Sequence, residues 1–302
     1  MRNLFEVYML VITGSTLRKD VPMKNSSFQE DPVPRILEDF QQYLTFQDMA
    51  PSTIQSYLFA AEQFLGLYHV LSHDNLMLYK CYLMEHYKPQ TVNLRIRAMN
   101  CLMESLHLSQ GRMPMVRVQQ KSFLENVISQ ADYEYLKNCF IKNGNHLYYF
   151  AIRLMATTGM RISELLSLQV EDVKRGYMDI YSKDNKIRRI YIPKLVRQDC
   201  LLWLKHIDRV WGDVFLNRYG NRITQAGVRG QLKKYSVRYG LDPAVVYPHS
   251  FRHLFARNFI EKCGDIAMLS DILGHESIET TRIYLHRSST EQKALVNQIV
   301  DW

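Results

Sequence analysis

The chain has 302 residues, 47% apolar and 23% charged, which excludes a disordered, collagen-like or disulfide-scaffold chain. At roughly 150 residues per domain the length predicts two domains, each with its own core. Thirty-eight basic against thirty acidic residues give a net charge of +8, compatible with a polyanionic partner, and only 13 glycines favour a helical protein over a loop-rich all-β one.

Residues 1–30 read as an extension ahead of the folded part. Their apolar opening, MRNLFEVYMLVITGS, is interrupted by Glu6 and is too short to cross a bilayer. Either the extension is flexible, or the natural start is Met23. From Asp31 a helix begins, with Ile36, Leu37, Phe40, Tyr43 and Leu44 at helical spacing. A second follows Ala50-Pro51-Ser52, with Ser52 as cap and Gln55 as its capping-box partner. A third is expected over 75–87, and a fourth after Pro89 carries Val92, Leu94, Ile96, Met99, Leu102 and Leu106. These helices predict a compact all-α domain over 31–110. Lys88, Arg95 and Arg97 interleave with the apolar set of the fourth helix, as a solvated face or as DNA contacts. Gly111-Arg112-Met113-Pro114 opens a linker running to 121, whose second part, Val116 to Lys121, is basic and extended.

The second domain, 122–302, opens with Ser129 as a cap on a helix reaching about Asn143. An almost wholly apolar helix over 146–158 is expected to be buried and to end at Gly159. Met178-Asp179-Ile180-Tyr181 and Arg189-Ile190-Tyr191-Ile192 read as a small antiparallel sheet with a basic tip. Helices resume from about 197 and dominate to the end. The tail, Ala294 to Trp302, reads as an amphipathic helix. The fold class is therefore mainly α, with one small sheet.

Four clusters carry chemistry. Arg161 and Glu164 lie in Thr158-Gly159-Met160-Arg161-Ile162-Ser163-Glu164, which alone is an i,i+3 ion pair. Lys183 and Lys186 sit at the hairpin tip, and Pro248-His249-Ser250-Phe251-Arg252-His253 puts a histidine and an arginine one helical turn apart. Last, Leu273-Gly274-His275 is followed by a Ser277 cap and by Tyr284, nine residues past the histidine.

In this order and at these intervals the clusters resemble the tyrosine recombinase (phage-integrase) family, which includes the Xer-type recombinases. The resemblance covers about 120–302, while 31–110 resembles the family's core-binding domain with weaker motifs. It implies a site-specific DNA recombinase. A tyrosine attacks a DNA phosphodiester, leaving a 3′-phosphotyrosine link and a free 5′-hydroxyl, and strands exchange through a Holliday junction. By this resemblance Arg161 and Arg252 are the catalytic arginines, whose guanidinium forks suit phosphate oxygens. Glu164 orients a neighbouring cation or histidine. Tyr284 is the nucleophile, and Lys183 protonates the leaving oxygen, with Lys186 as runner-up and DNA contact. His249 is assigned to proton management and His275 to a hydrogen bond on the phosphate, a split that stays open. His253 and His286 flank the motifs and fall outside the catalytic set. Arg229, Lys233 and Lys234, on a basic helix, are candidate DNA contacts.

The implied partners are double-stranded recombination sites, clamped between the two domains, and three further copies of the chain in a homotetramer. The tail would pack onto a neighbouring protomer or fold back on its own. No cofactor or metal is required by the set. An odd count of five cysteines with no CxxC pair fits reduced thiols in the cytoplasm, away from any membrane. A type IB topoisomerase-like relaxing enzyme and a catalytically silent DNA-binding protein are the rival readings.

Overall fold

A computed structural model describes residues 32–108, 112–118, 126–181, 187–275 and 277–285, together with 297 and 300. The N-terminal extension, the hairpin tip with Lys183 and Lys186, His286 and nearly all of the tail lie outside the described residues. The chain divides into two compact units, Met1–Gln120 and Lys121–Trp302. The described parts are mostly helical, with a two-stranded antiparallel sheet. None of the described helices is long and apolar enough to cross a membrane.

The first unit contains α1 (Pro32–Phe46), α2 (Pro51–Tyr68), α3 (His73–His86) and α4 (Pro89–Ser105). Their apolar stripes meet in a core containing Phe40, Leu44, Phe64, Tyr79, Leu83, Ile96 and Met99. Each such burial removes roughly 1.5–3 kcal/mol of apolar exposure. The start of α2 differs from expectation. Ala50 is the N-cap, without a side-chain hydrogen bond, and Pro51 occupies the first turn. Proline fits there because its fixed φ is helical and its missing N–H has no intrahelical partner to lose. Ser52 therefore lies inside the helix, its carbonyl accepting from the Ser56 hydroxyl at 2.8 Å. Serine does cap α3: Ser72 accepts from the Asn75 N–H, starting the helix two residues before 75.

The segment after α4 is not a free spacer where it is described. Asn93 and Asn100 lie seven residues apart, two turns, and so share one face of α4. Asn100 grips both backbone groups of Met113 at 2.9 and 3.0 Å. Asn93 does the same to Val116 at 2.8 and 2.9 Å. Each amide thus serves as the hydrogen-bonding edge that a neighbouring strand would offer, and Met113 is buried.

The second unit contains α5 (Gln130–Lys142), α6 (His146–Thr158), α7 (Ile162–Leu166), α8 (Val170–Arg175), β1 (Tyr177–Tyr181), β2 (Ile187–Tyr191), α9 (Lys194–His206), α10 (Gln225–Arg238), α11 (Pro248–Cys263), α12 (Ile266–Leu273) and α13 (Glu279–Arg282). Ser129 caps α5 by accepting from the Asp132 N–H. The apolar helix α6 is the buried one, with Phe150, Ile152, Leu154 and Met155 inside the main core. In the sheet, Asp179 lies opposite Arg189, and the two form a paired ion bridge at 2.7 and 2.8 Å. The stretch 207–224 is not helical as expected: it is turn-rich, held by isolated bridges Gln169–Asp213 and Leu216–Arg222.

Candidate active site

The site is assembled at helix ends. Gly159 terminates α6 with a left-handed φ of 68°, and a Cβ there would lie 2.5 Å from the Phe255 ring. Both facts select glycine. The chain turns at once into α7, whose N-cap is Arg161. Glu164, three residues on, accepts from the Arg161 backbone N–H at 2.7 Å and from Arg161 Nη1 at 3.0 Å. Its other partner is Arg188 on β2, whose Nη2 donates to Oε2 at 2.6 Å. Glu164 thus orients two guanidinium groups.

The C-terminal end of α12 collects cations. Its last carbonyls have no intrahelical donors and lie at the negative end of the helix dipole. Arg161 Nη2 donates to the Gly274 carbonyl at 3.1 Å. Both Arg188 and Arg252 donate to the Leu273 carbonyl, Arg252 at 2.7 Å. Gly274 adopts φ 63°, and a Cβ there would meet Arg188 Nη1 at 2.5 Å. Arg252 also donates to the Gly159 carbonyl at 2.6 Å, so the ends of α6 and α12 hold one guanidinium between them. Burial, then the neighbouring Arg161, push its pKa down to about 10, which leaves it charged at neutral pH. Arg252 is 1% exposed, whereas the Arg161 side chain is 40% exposed. Arg161 presents charge to solvent and Arg252 stands behind it.

His275 is tied to Arg252. Arg252 Nη2 lies 3.0 Å from His275 Nε2, and a guanidinium has no acceptor, so the imidazole nitrogen accepts. Nδ1 then carries the proton and donates to the Thr281 hydroxyl at 2.7 Å. Burial, followed by Arg252, Arg161 and Arg188, pushes the His275 pKa down to about 4. In this state the ring is neutral and its Nε2 is engaged by Arg252, which it helps to orient.

Tyr284 lies in a single 3₁₀ turn, Ile283–Leu285, after α13. Its hydroxyl is 2.8 Å from His253 Nδ1. Burial pushes the phenol up to about 12, and Arg252 opposes the rise. The histidine beside Tyr284 is therefore His253, which the motifs leave outside the catalytic set. His249 makes no hydrogen bond among the described residues. Its ring meets the His253 ring edge-on at 4.7 Å, and burial lowers its pKa.

Arg161, Glu164, His249, Arg252, His275 and Tyr284 thus lie on neighbouring elements of one unit, while Lys183 and Lys186 fall outside the described residues. Lys88 and Arg97 are exposed on the first unit, as are Arg229, Lys233 and Lys234 on α10. Arg95 is not available as a DNA contact: it is 9% exposed and lies over the rings of Tyr87 at 4.2 Å and Phe59 at 5.1 Å. The helical period explains this. Residue 95 is three past Val92 and four before Met99, on the buried stripe, while Leu94 points outward. Arg188 and Thr281 join the site without belonging to any of the sequence clusters' named residues, and His253 stands in it although the motifs leave it outside the catalytic set. Alternation along β2 carried a signal for Arg188, because it shares a face with the buried Ile190.

The match to a known family falls on this unit. Residues 124–291 match the profile of the phage integrase family. The tyrosine recombinase XerD of Staphylococcus haemolyticus is 29% identical over 165 residues, 52% of this chain and 56% of that protein. The tyrosine recombinase XerC of Pseudomonas aeruginosa is 34% identical over 141 residues, 45% of this chain and 46% of that protein. The chain thus spans about half the length of the curated relatives it matches. Two solved structures share the fold. The XerH site-specific recombinase bound to palindromic difH substrate has a TM-score of 0.67 at 17% identity, covering 89% of this chain and 97% of that one. A lambda integrase dimer bound to a COC′ core site has a TM-score of 0.66 at 14% identity, covering 85% and 96%.

Proposed function

The chain belongs to the phage integrase family of tyrosine recombinases, and on that premise we propose that it cuts and rejoins duplex DNA at specific recombination sites. The observation that carries this reading is the gathering of Arg161, Arg252 and His275 around the end of α12, with Tyr284 hydrogen-bonded beside Arg252. Attack of a phenol oxygen on a phosphodiester builds negative charge on the non-bridging oxygens, and fixed guanidinium donors stabilise that charge. Arg161 faces solvent and meets the phosphate directly. Arg252 adds its charge from behind, held in place by two carbonyls and His275.

The bond from Tyr284 Oη to phosphorus forms as the bond from phosphorus to the 5′-oxygen breaks, and Lys183 gives that oxygen its proton. The 3′-phosphotyrosine link keeps the phosphodiester energy, so a 5′-hydroxyl from another strand reverses the step without a nucleotide. On paired sites a first such exchange of strands forms a Holliday junction and a second resolves it. This requires four protomers, and the tail is the segment that links them. The helical unit of 31–110, the linker to 121 and the catalytic unit of 122–302 divide the work of binding and chemistry. Lys88, Arg97, Lys186, Arg229, Lys233 and Lys234 supply salt-sensitive phosphate contacts.

The test is a nicked suicide DNA carrying a candidate site from the DNA flanking the gene. Wild type is expected to leave a covalent protein–DNA band on a denaturing gel, and Tyr284→Phe none. A band that survives in Tyr284→Phe moves the nucleophile elsewhere. Binding without a band in wild type supports a silent DNA-binding protein. Supercoil relaxation without exchange supports a topoisomerase-like enzyme.

A further inference from the structure

Resting on the reading of Tyr284 as nucleophile, we propose that His253 is a catalytic residue of this protein and takes the phenol proton through Nδ1 as Tyr284 attacks. Three observations carry it. First, His253 Nδ1 is 2.8 Å from Tyr284 Oη, within the reach required of a general base. Among the described residues no other side chain is hydrogen-bonded to that hydroxyl. Second, His253 follows Arg252 in α11, so the rigid helix that carries the buried guanidinium also aims the imidazole. Third, the environment keeps the ring neutral, with Nδ1 free to accept. Burial, then His249, Arg252 and His275, push its pKa down to about 4. The phenol is pushed up to about 12 and stays protonated. The hydrogen bond therefore runs from Tyr284 O–H to His253 Nδ1.

A ring of such low basicity does not ionise the resting phenol. It need not. As Oη shares an electron pair with phosphorus, its proton becomes strongly acidic, and transfer to even a weak base turns downhill late in the step. The balance is then complete: the Oη–P bond forms, the P–O5′ bond breaks, the phenol proton passes to His253 Nδ1, and the leaving oxygen takes a separate proton. His249, the histidine expected from the motif to manage that proton, stands behind His253, ring against ring. It makes no hydrogen bond to Tyr284 among the described residues.

The experiment measures single-turnover formation of the covalent adduct on the nicked suicide DNA. Two substrates are compared, one with the ordinary 5′-oxygen at the scissile phosphate and one with sulfur in its place. Sulfur leaves without a proton, so it rescues the loss of a leaving-group acid and not the loss of a base on the nucleophile. His253→Ala is expected to slow adduct formation by about 10²-fold or more on both substrates, with DNA affinity unchanged. His253→Asn, which keeps an acceptor near the Nδ1 position but cannot carry the proton, is expected to remain slow. Independently of DNA, the nitrogen resonances of His253 are expected to show the Nε2–H form, with the Nδ1 signal moving in Tyr284→Phe.

Wild-type rates in His253→Ala or His253→Asn overturn the proposal, the latter showing that the contact only orients the ring. A defect that disappears on the sulfur substrate also overturns it, by placing His253 at the leaving group. Failure of wild type itself to form an adduct sinks the recombinase reading and this proposal with it. An adduct formed at full rate without His253 sinks this proposal alone.

Discussion

Each unit buries an arginine, and the two are held by opposite means. In the helical unit Arg95 lies over the faces of Tyr87 and Phe59, and its Nη1 is buried without a hydrogen-bond partner among the described residues. In the catalytic unit Arg252 has its donors aimed at the carbonyls of Gly159 and Leu273 and at His275. Ring faces hold a cation loosely in direction, for about 0.5–2 kcal/mol. Carbonyls at helix ends fix both its position and the orientation of its remaining edges. The first arrangement suits packing, and the second suits a charge that must stay aimed at a developing anion. A buried arginine is thus informative only once its partners are known.

The comparison is broken most sharply at Arg252. Arg252→Ala is expected to lower single-turnover cleavage by about 10³-fold. It is also expected to cost about 3 kcal/mol in urea unfolding, because the buried Gly159 carbonyl loses its side-chain donor and the Leu273 carbonyl one of its two. Next comes Arg188→Met, which strips Glu164 of one of its two cations in a largely buried setting. A loss of about 3 kcal/mol is expected. Adding Glu164→Gln should recover part of it, and strict additivity in the double mutant would show that the pair is not coupled.

Acid should act on the catalytic unit through its neutral histidines. The pKa values of His253 and His275 in the fold are about 4, against an ordinary 6.5. Well above pH 6.5 both states are neutral and this contribution to stability is full. Between 6.5 and 4 the unfolded chain binds protons that the folded one refuses, so stability falls with pH. From pH 7 to 5 the loss is about 1 kcal/mol per imidazole after discounting for partial exposure, readable as a falling Tm. His253→Asn should flatten that fall.

The smallest effects belong to the helical unit. Arg95→Met is expected to change stability by about 1 kcal/mol or less and to leave the salt dependence of DNA binding untouched. Arg97→Ala, by contrast, should leave stability alone and reduce the salt slope by about 1. An equal loss of slope in both variants would mean that Arg95 leaves its aromatic bed on DNA.

Much of this was legible in residue order. The apolar run from Leu147 to Met155 announced a buried helix, and α6 spans His146–Thr158 as expected. Gly159 and Gly274 marked helix ends, because a left-handed terminus favours glycine. The family resemblance singled out Arg161, Arg252, His275 and Tyr284, and the fold gathers the first three at one end of α12, with Tyr284 on His253 of α11. The sequence thus determined most of the elements, since periodicity and backbone preference are local properties, though not the start of α2 or the turn-rich stretch 207–224. Only the tertiary structure decided which long side chains meet. Arg188 reaches a carbonyl 85 residues away, and Arg252 one 93 residues away. Nothing within a helical turn encodes those pairings. The same limit hid His253, which looked redundant beside His249 until packing brought Tyr284 to it, and it misread Arg95, whose charge suggested solvent while its place on the helix put it inside.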